Sequence, residues 1–225
     1  MSAAEWIPAG ADVDLRKAAK GCRGCELWEP ATQVVFSAGD VHAAMMLVGE
    51  QPGDVEDQRG IPFVGPAGTL LQRAVADAGI SRGDVYVTNA VDHFRFTMRG
   101  KRRIHATPQV AHIRACKPWL DAEIADVAAR LVVCLGATAA KALLGNKFRI
   151  TRDRGVLIDK VADTPPQSLA TAHPSSAADL LLGIFAASRA QEFAAVDPTL
   201  TTLLEHPPTS VEAFLRAEMA DNATA

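Results

Sequence analysis

Met45-Met46-Leu47-Val48-Gly49-Glu50-Gln51-Pro52-Gly53-Asp54 decides the fold. Four apolar residues form a short buried strand, and the glycine and proline after Glu50 stop its simple continuation. Glu50 is thereby left at a strand's carboxyl end, which in an open α/β sheet faces the crevice where ligands bind. Two other segments run from a strand into a polar turn: Val85-Tyr86-Val87-Thr88-Asn89, and Ser168-Leu169-Ala170-Thr171-Ala172 leading into His173-Pro174-Ser175-Ser176. An acid, an amide and a histidine are expected on one edge of a sheet.

Short β-rich runs alternate with helical stretches, which predicts an α/β fold with three αβα layers around a central four-stranded parallel sheet. Strands are expected near 44–48, 85–89, 131–135 and 168–172. A helix should start at Pro66 and stop at Gly79, since proline suits a first turn and glycine the position past the last. Thr107-Pro108 offers the same start for a helix to about Ala129, and 136–144 and 176–196 supply two more. Residues 1–196 are expected to form one domain. The tail at 197–225 carries a capping box, Thr209 to Glu212, ahead of a short amphipathic helix that either packs back on the domain or binds a partner.

A chain of 225 residues is long enough to bury a substantial core without disulfides. Its 48% hydrophobic and 22% charged content is that of a soluble globular protein. Neither a secretory leader nor a run of ~18 apolar residues is present, so a cytoplasmic protein without a membrane span, a monomer, is expected. The net charge of −3 hides an asymmetry. Between His93 and Leu120 lie seven cations (Arg95, Arg99, Lys101, Arg102, Arg103, Arg114, Lys117) and no acid, whereas 192–225 holds six acids and one arginine. A basic run is often no more than a solvated face. This one interleaves with Phe94, Phe96 and His105 beside the expected site, which favours a loop that contacts phosphate.

Cys22-Arg23-Gly24-Cys25 has a metal-ligand spacing in a stretch without apolar periodicity. Cys116 sits on a helix face, and Cys134, inside Leu131-Val132-Val133-Cys134-Leu135, reads as a small core residue.

The Gly-Glu-x-Pro-Gly turn and the His-Pro-Ser turn, in this order and at strand ends, resemble the uracil-DNA glycosylase superfamily. Gln51 after the acid and the insertion Gly100-Lys101-Arg102-Arg103-Ile104-His105 resemble in particular the UdgX group, whose members become covalently attached to the DNA they excise. The resemblance covers roughly residues 20 to 195 and implies a DNA-repair enzyme acting on uracil-containing DNA, single- or double-stranded. Related iron–sulfur glycosylases carry a cysteine where this chain has His93, so the resemblance implies a [4Fe-4S] cluster on Cys22, Cys25, His93 and Cys116. Three cysteines and one histidine are also an ordinary structural zinc set, which stays as the alternative.

The resemblance further implies that Phe63 stacks on uracil, that Glu56 excludes the thymine methyl, and that Gln51 borders the base and the water path. Asn89 can donate to uracil O4 and accept from N3–H, a pattern that cytosine inverts. His173 is expected to hydrogen-bond O2 as charge develops, with Ser175, Ser176, Arg154, Lys101, Arg102 and Arg103 on phosphates. His105, in the basic loop, is the expected nucleophile toward the sugar, with Glu50 accepting its proton.

Overall fold

A computed structural model describes residues 2–10, 13–77 and 80–153, together with the backbone of two short strands at 157–159 and 180–182. In chain order the elements are α1 (Leu15–Ala19), β1 (Met45–Gly49), α2 (Asp54–Arg59), α3 (Pro66–Asp77), β2 (Val85–Asn89), β3 (Phe96–Arg99), β4 (Arg102–His105), α4 (Val110–Val127), β5 (Leu131–Cys134), α5 (Ala137–Leu144), α6 (Ile150–Asp153), β6 (Leu157–Asp159) and β7 (Leu180–Leu182).

β1 runs between β2 and β5, parallel to both, with Gly49 opposite Asn89 and Val48 opposite Cys134. This register puts Glu50 and Asn89 on one edge. All three strands are buried along their whole length, as expected of a parallel sheet covered on both faces. Met46, Val48 and Tyr86 pack toward Leu120 and Val127 of α4 and Ala139 and Leu143 of α5. Met45, Leu47, Val85 and Val87 pack on the opposite face, toward Leu71 and Val75 of α3. Three layers result, with Cys134 in the first of these clusters.

Beyond β5 the sheet continues with β7 in parallel and then β6, which pairs antiparallel to β7. The antiparallel β6 was not among the expected strands. β7 falls inside the helix expected at 176–196: the apolar run Leu180-Leu181-Leu182 pairs with β5 as a strand instead. The strand expected at 168–172, the rest of that helix and the tail lie outside the described residues, as do Arg154, His173, Ser175 and Ser176.

The long helix starts later than the Thr107-Pro108 pair suggests, because Gln109 closes a capping box with His112. Its buried stripe reads His112, Ala115, Cys116, Trp119, Leu120, Glu123 and Val127, so a glutamate occupies a core position. Glu123 is fully buried and accepts from the Tyr86 hydroxyl at 2.8 Å and from Thr88 at 2.8 Å. β3 and β4 form a separate two-stranded antiparallel sheet, with Phe96 opposite His105 and Met98 opposite Arg103.

Candidate active site

A cavity of about 340 Å³ opens at the carboxyl end of β1, lined by Gln51, Pro52, Gly53, Asp54, Val55, Glu56, Phe63, Pro66, Ala67, Asn89 and His105. Two glycines allow its shape. A Cβ on Gly49 would lie 2.7 Å from Cζ of Phe63 and closer still to Oδ1 of Asn89, so both side chains close over a position where only hydrogen fits. Phe63 itself adopts a left-handed backbone, φ 56°, a strained conformation for an aromatic residue and one that clusters at functional sites. Gly68 makes room for it: a Cβ there would overlap the Phe63 carbonyl. Glu56, 8% exposed, accepts a hydrogen bond from the Gly65 amide at 2.9 Å and thus ties α2 to the loop that carries Phe63.

His105 ends β4 at the cavity wall. Its Nε2 lies 3.3 Å from Oε1 of Glu50, and the other carboxylate oxygen accepts from the Thr138 hydroxyl at 2.5 Å. The sequence reading did not single out Thr138. Its signal was there, since it follows β5 on the edge that carries Glu50.

Gln51, which lines the cavity, and Arg103 also make contacts that the sequence did not indicate. The carboxamide of Gln51 donates to the carbonyls of Arg95 at 3.1 Å and Ala106 at 3.2 Å, and accepts from the Arg95 amide at 3.1 Å. Both N–H groups are spent on the base of the hairpin, so the side chain sets the position of His105 and has no donor left to direct water. Arg103, expected on phosphate, instead turns inward. Its guanidinium meets Asp54 at 2.5 Å and Asp57 at 2.6 Å and lies over the rings of Phe94 and Phe96. Asp57 is fully buried and also takes the Thr32 amide, so a free Arg103 would leave a buried charge uncompensated. Arg99, Lys101 and Arg102 remain exposed around Gly100, the hairpin tip.

Cys22, Cys25 and Cys116 meet in one buried cluster with Ala19, Leu27 and Trp119. The Cys22 sulfur faces the Gly24 amide at 3.4 Å and the Trp119 indole N–H at 3.2 Å, while Cys116 faces the Asp92 amide at 3.4 Å. Such donors suit ligating thiolates. Burial pushes the Cys25 and Cys116 thiols up, so their ionisation asks for a neighbouring cation. Asp92 adds a buried carboxylate oxygen, Oδ1, with no hydrogen-bond partner. His93 is buried nearby in sequence, and burial lowers its pKa to about 4, partly offset by Asp57, which keeps the ring neutral as a metal ligand must be. The chemistry of this donor set fits a soft metal centre, although no three His, Cys, Asp or Glu side chains among the described residues are placed as a single bound ion would need them.

An acid and an amide thus stand at adjacent strand ends of a parallel α/β sheet, beside an open cavity lined by Asn89, Phe63 and His105. The chain belongs to the uracil DNA glycosylase superfamily, whose pattern it matches over residues 36–194. It is 36% identical over 130 residues to a type-4 uracil-DNA glycosylase of Pyrobaculum aerophilum, covering 58% of this chain and 63% of that protein. It is 36% identical over 157 residues to a type-4 uracil-DNA glycosylase of Thermotoga maritima, covering 69% of this chain and 77% of that protein. A third, from Sulfurisphaera tokodaii, is 35% identical over 139 residues and covered to 60% of each chain. No helix among the described residues is long and apolar enough to cross a membrane.

Proposed function

We propose that this protein excises uracil from DNA and then joins itself through His105 to the sugar it has exposed. The excision half rests on superfamily membership and on the type-4 glycosylase relatives; the joining half rests on one observation, the 3.3 Å approach of His105 Nε2 to Glu50 at the cavity wall.

The target nucleotide leaves the base stack at a cost of a few kcal/mol, lower in a single strand or a mispair. Phe63 stacks on the uracil, Asn89 reads its O4 and N3–H edge, and Glu56 holds the Phe63 loop beside C5. The bond between C1′ and the base breaks, the electron pair leaves with uracil, and a sugar cation remains. His173 by resemblance supports the charge on O2. With Nε2–H donated to Glu50, the Nδ1 lone pair of His105 forms the bond to C1′, and the Nε2 proton passes to Glu50. A nucleophile already in place outruns water by proximity. Lys101 and Arg102 at the exposed tip, with Ser175, Ser176 and Arg154 by resemblance, hold the phosphates of a single- or double-stranded substrate.

Cys22, Cys25, Cys116 and His93 would hold a [4Fe-4S] cluster, with zinc as the alternative. Through these ligands the N-terminal loop would be tied to α4, and the group would supply a structural anchor. A monomeric cytoplasmic protein, with a tail outside the catalytic domain at 197–225, completes the reading.

The test is a denaturing gel of the protein mixed with a uracil-containing oligonucleotide. A heat- and detergent-resistant species of protein plus DNA, with the sugar mapped to His105, is the expected result. Free uracil with free protein would leave a turnover glycosylase, and binding without uracil release would leave a sensor of damaged DNA.

A further inference from the structure

The two oxygens of the Glu50 carboxylate have different neighbours, and the second of them has no role in the chemistry described so far. Oε1 faces His105, on the hairpin; Oε2 takes the Thr138 hydroxyl at 2.5 Å, from the first turn of α5. Thr138 is 9% exposed, whereas the Glu50 side chain keeps 30% of its surface open to solvent. α5 follows directly on β5, which pairs with β1, so the residue behind the acid is fixed by the same parallel ladder that fixes the acid. Glu50 is thus held from the sheet side by Thr138 and is left with one oxygen free to take a proton.

We infer that Thr138 is a positioning residue, which holds Oε2 of Glu50 by a donated hydrogen bond and so turns Oε1 toward His105 as the proton acceptor. The inference rests on the proposed role of Glu50 in the transfer to His105. A hydroxyl can only favour the charged form by donating, as it does here, so its removal disfavours ionisation. The groups placed against this carboxylate are His105 from β4 and Thr138 from α5. No other atom of Thr138 need touch substrate for the effect.

The discriminating variants are Thr138→Val, which keeps the shape and removes the donor, and Thr138→Ser, which restores it. Two readouts on the whole protein separate this inference from the reading it rests on. The first is the titration of the Glu50 side-chain carboxyl by carbon-detected NMR, which needs no DNA. Thr138→Val should move its midpoint upward and Thr138→Ser should return it. The second is the rate of covalent adduct formation against pH. Loss of a hydrogen bond to a charged group predicts a fall of about tenfold in Thr138→Val at neutral pH, with the acid limb displaced upward and serine close to wild type. An unmoved Glu50 titration in Thr138→Val overturns the inference, as does a slowed variant whose pH profile keeps its shape and which serine does not rescue. If the wild-type protein forms no adduct, the proposed function fails, and the NMR titration alone decides the role of Thr138.

Discussion

Arg103 and Asp57 form an ion pair, 2.6 Å from Nη1 to Oδ2, in which the carboxylate is fully buried and the guanidinium side chain 18% exposed. The same guanidinium reaches Asp54 from Nε, so one side chain pins the hairpin to two carboxylates in the first turn of α2. Removing a partner from a buried pair is costly because the remaining charge stays desolvated. Arg103→Ala should destabilise the protein by roughly 2–4 kcal/mol in urea melts and should slow adduct formation more than uracil release. Lysine should fail as a substitute, since a single ammonium cannot span two carboxylates while lying flat on Phe94 and Phe96.

The cavity depends on a missing Cβ. Gly49→Ala would drive a methyl group against Phe63 and Asn89, the two side chains proposed to read the base. Displacements near 1 Å at a reacting centre can cost about 10²-fold, and uracil release should fall by about that factor. Circular dichroism should show the fold intact. Full activity in Gly49→Ala would place the base elsewhere.

His105→Ser removes the proposed nucleophile and leaves the rest of the cavity lining in place. The covalent band should disappear while uracil is still released, because water then reaches C1′ and the protein turns over. Quantifying free uracil and trapped protein in one reaction checks both halves. A trapped species surviving in His105→Ser would shift the attachment to another residue.

How much of this was legible beforehand follows from sequence separation. Glu50, Asn89 and the alternation of strands and helices are written in runs of a few residues, and the parallel register brings Glu50 and Asn89 to one edge as their strand-end positions imply. The duties of Gln51 and Arg103 were not legible, because their partners lie 44 to 55 residues away along the chain and on the far side of a turn. Composition marks Arg103 as one cation among seven; only packing makes it an inward-facing one. Glu123 had a visible signal that went unread, since it continues the spacing of Cys116, Trp119 and Leu120 on the buried stripe of α4.

That glutamate gives the stability a pH dependence with a definite sign. Burial raises its pKa from 4.5 to about 8, so the native state holds the proton more tightly than the unfolded chain. Its contribution is full below pH 4.5 and is lost as pH rises toward 8, at up to about 1.4 kcal/mol per pH unit. Glu123→Gln, neutral throughout and able to bond Tyr86 and Thr88, should flatten this slope. Urea midpoints taken from pH 5 to pH 8 in both proteins would reveal the difference, and parallel slopes would refute the assignment.

β3 and β4 make their ladder with each other and with no described strand of the central sheet, and at their tip Gly100, φ 61°, has open space where a side chain would begin. The part that bears His105 is therefore joined to the central sheet by side chains, above all by Arg103 on Asp54 and Asp57 and by Gln51 on the hairpin base. A side chain grafted at Gly100 would meet no neighbouring atom but would sit in left-handed backbone that favours glycine, so the exposed neighbours Lys101 and Arg102 are the better places for a reporter group. Changes at the exposed tip, away from Arg103, would therefore leave the central sheet and its buried ion pair untouched.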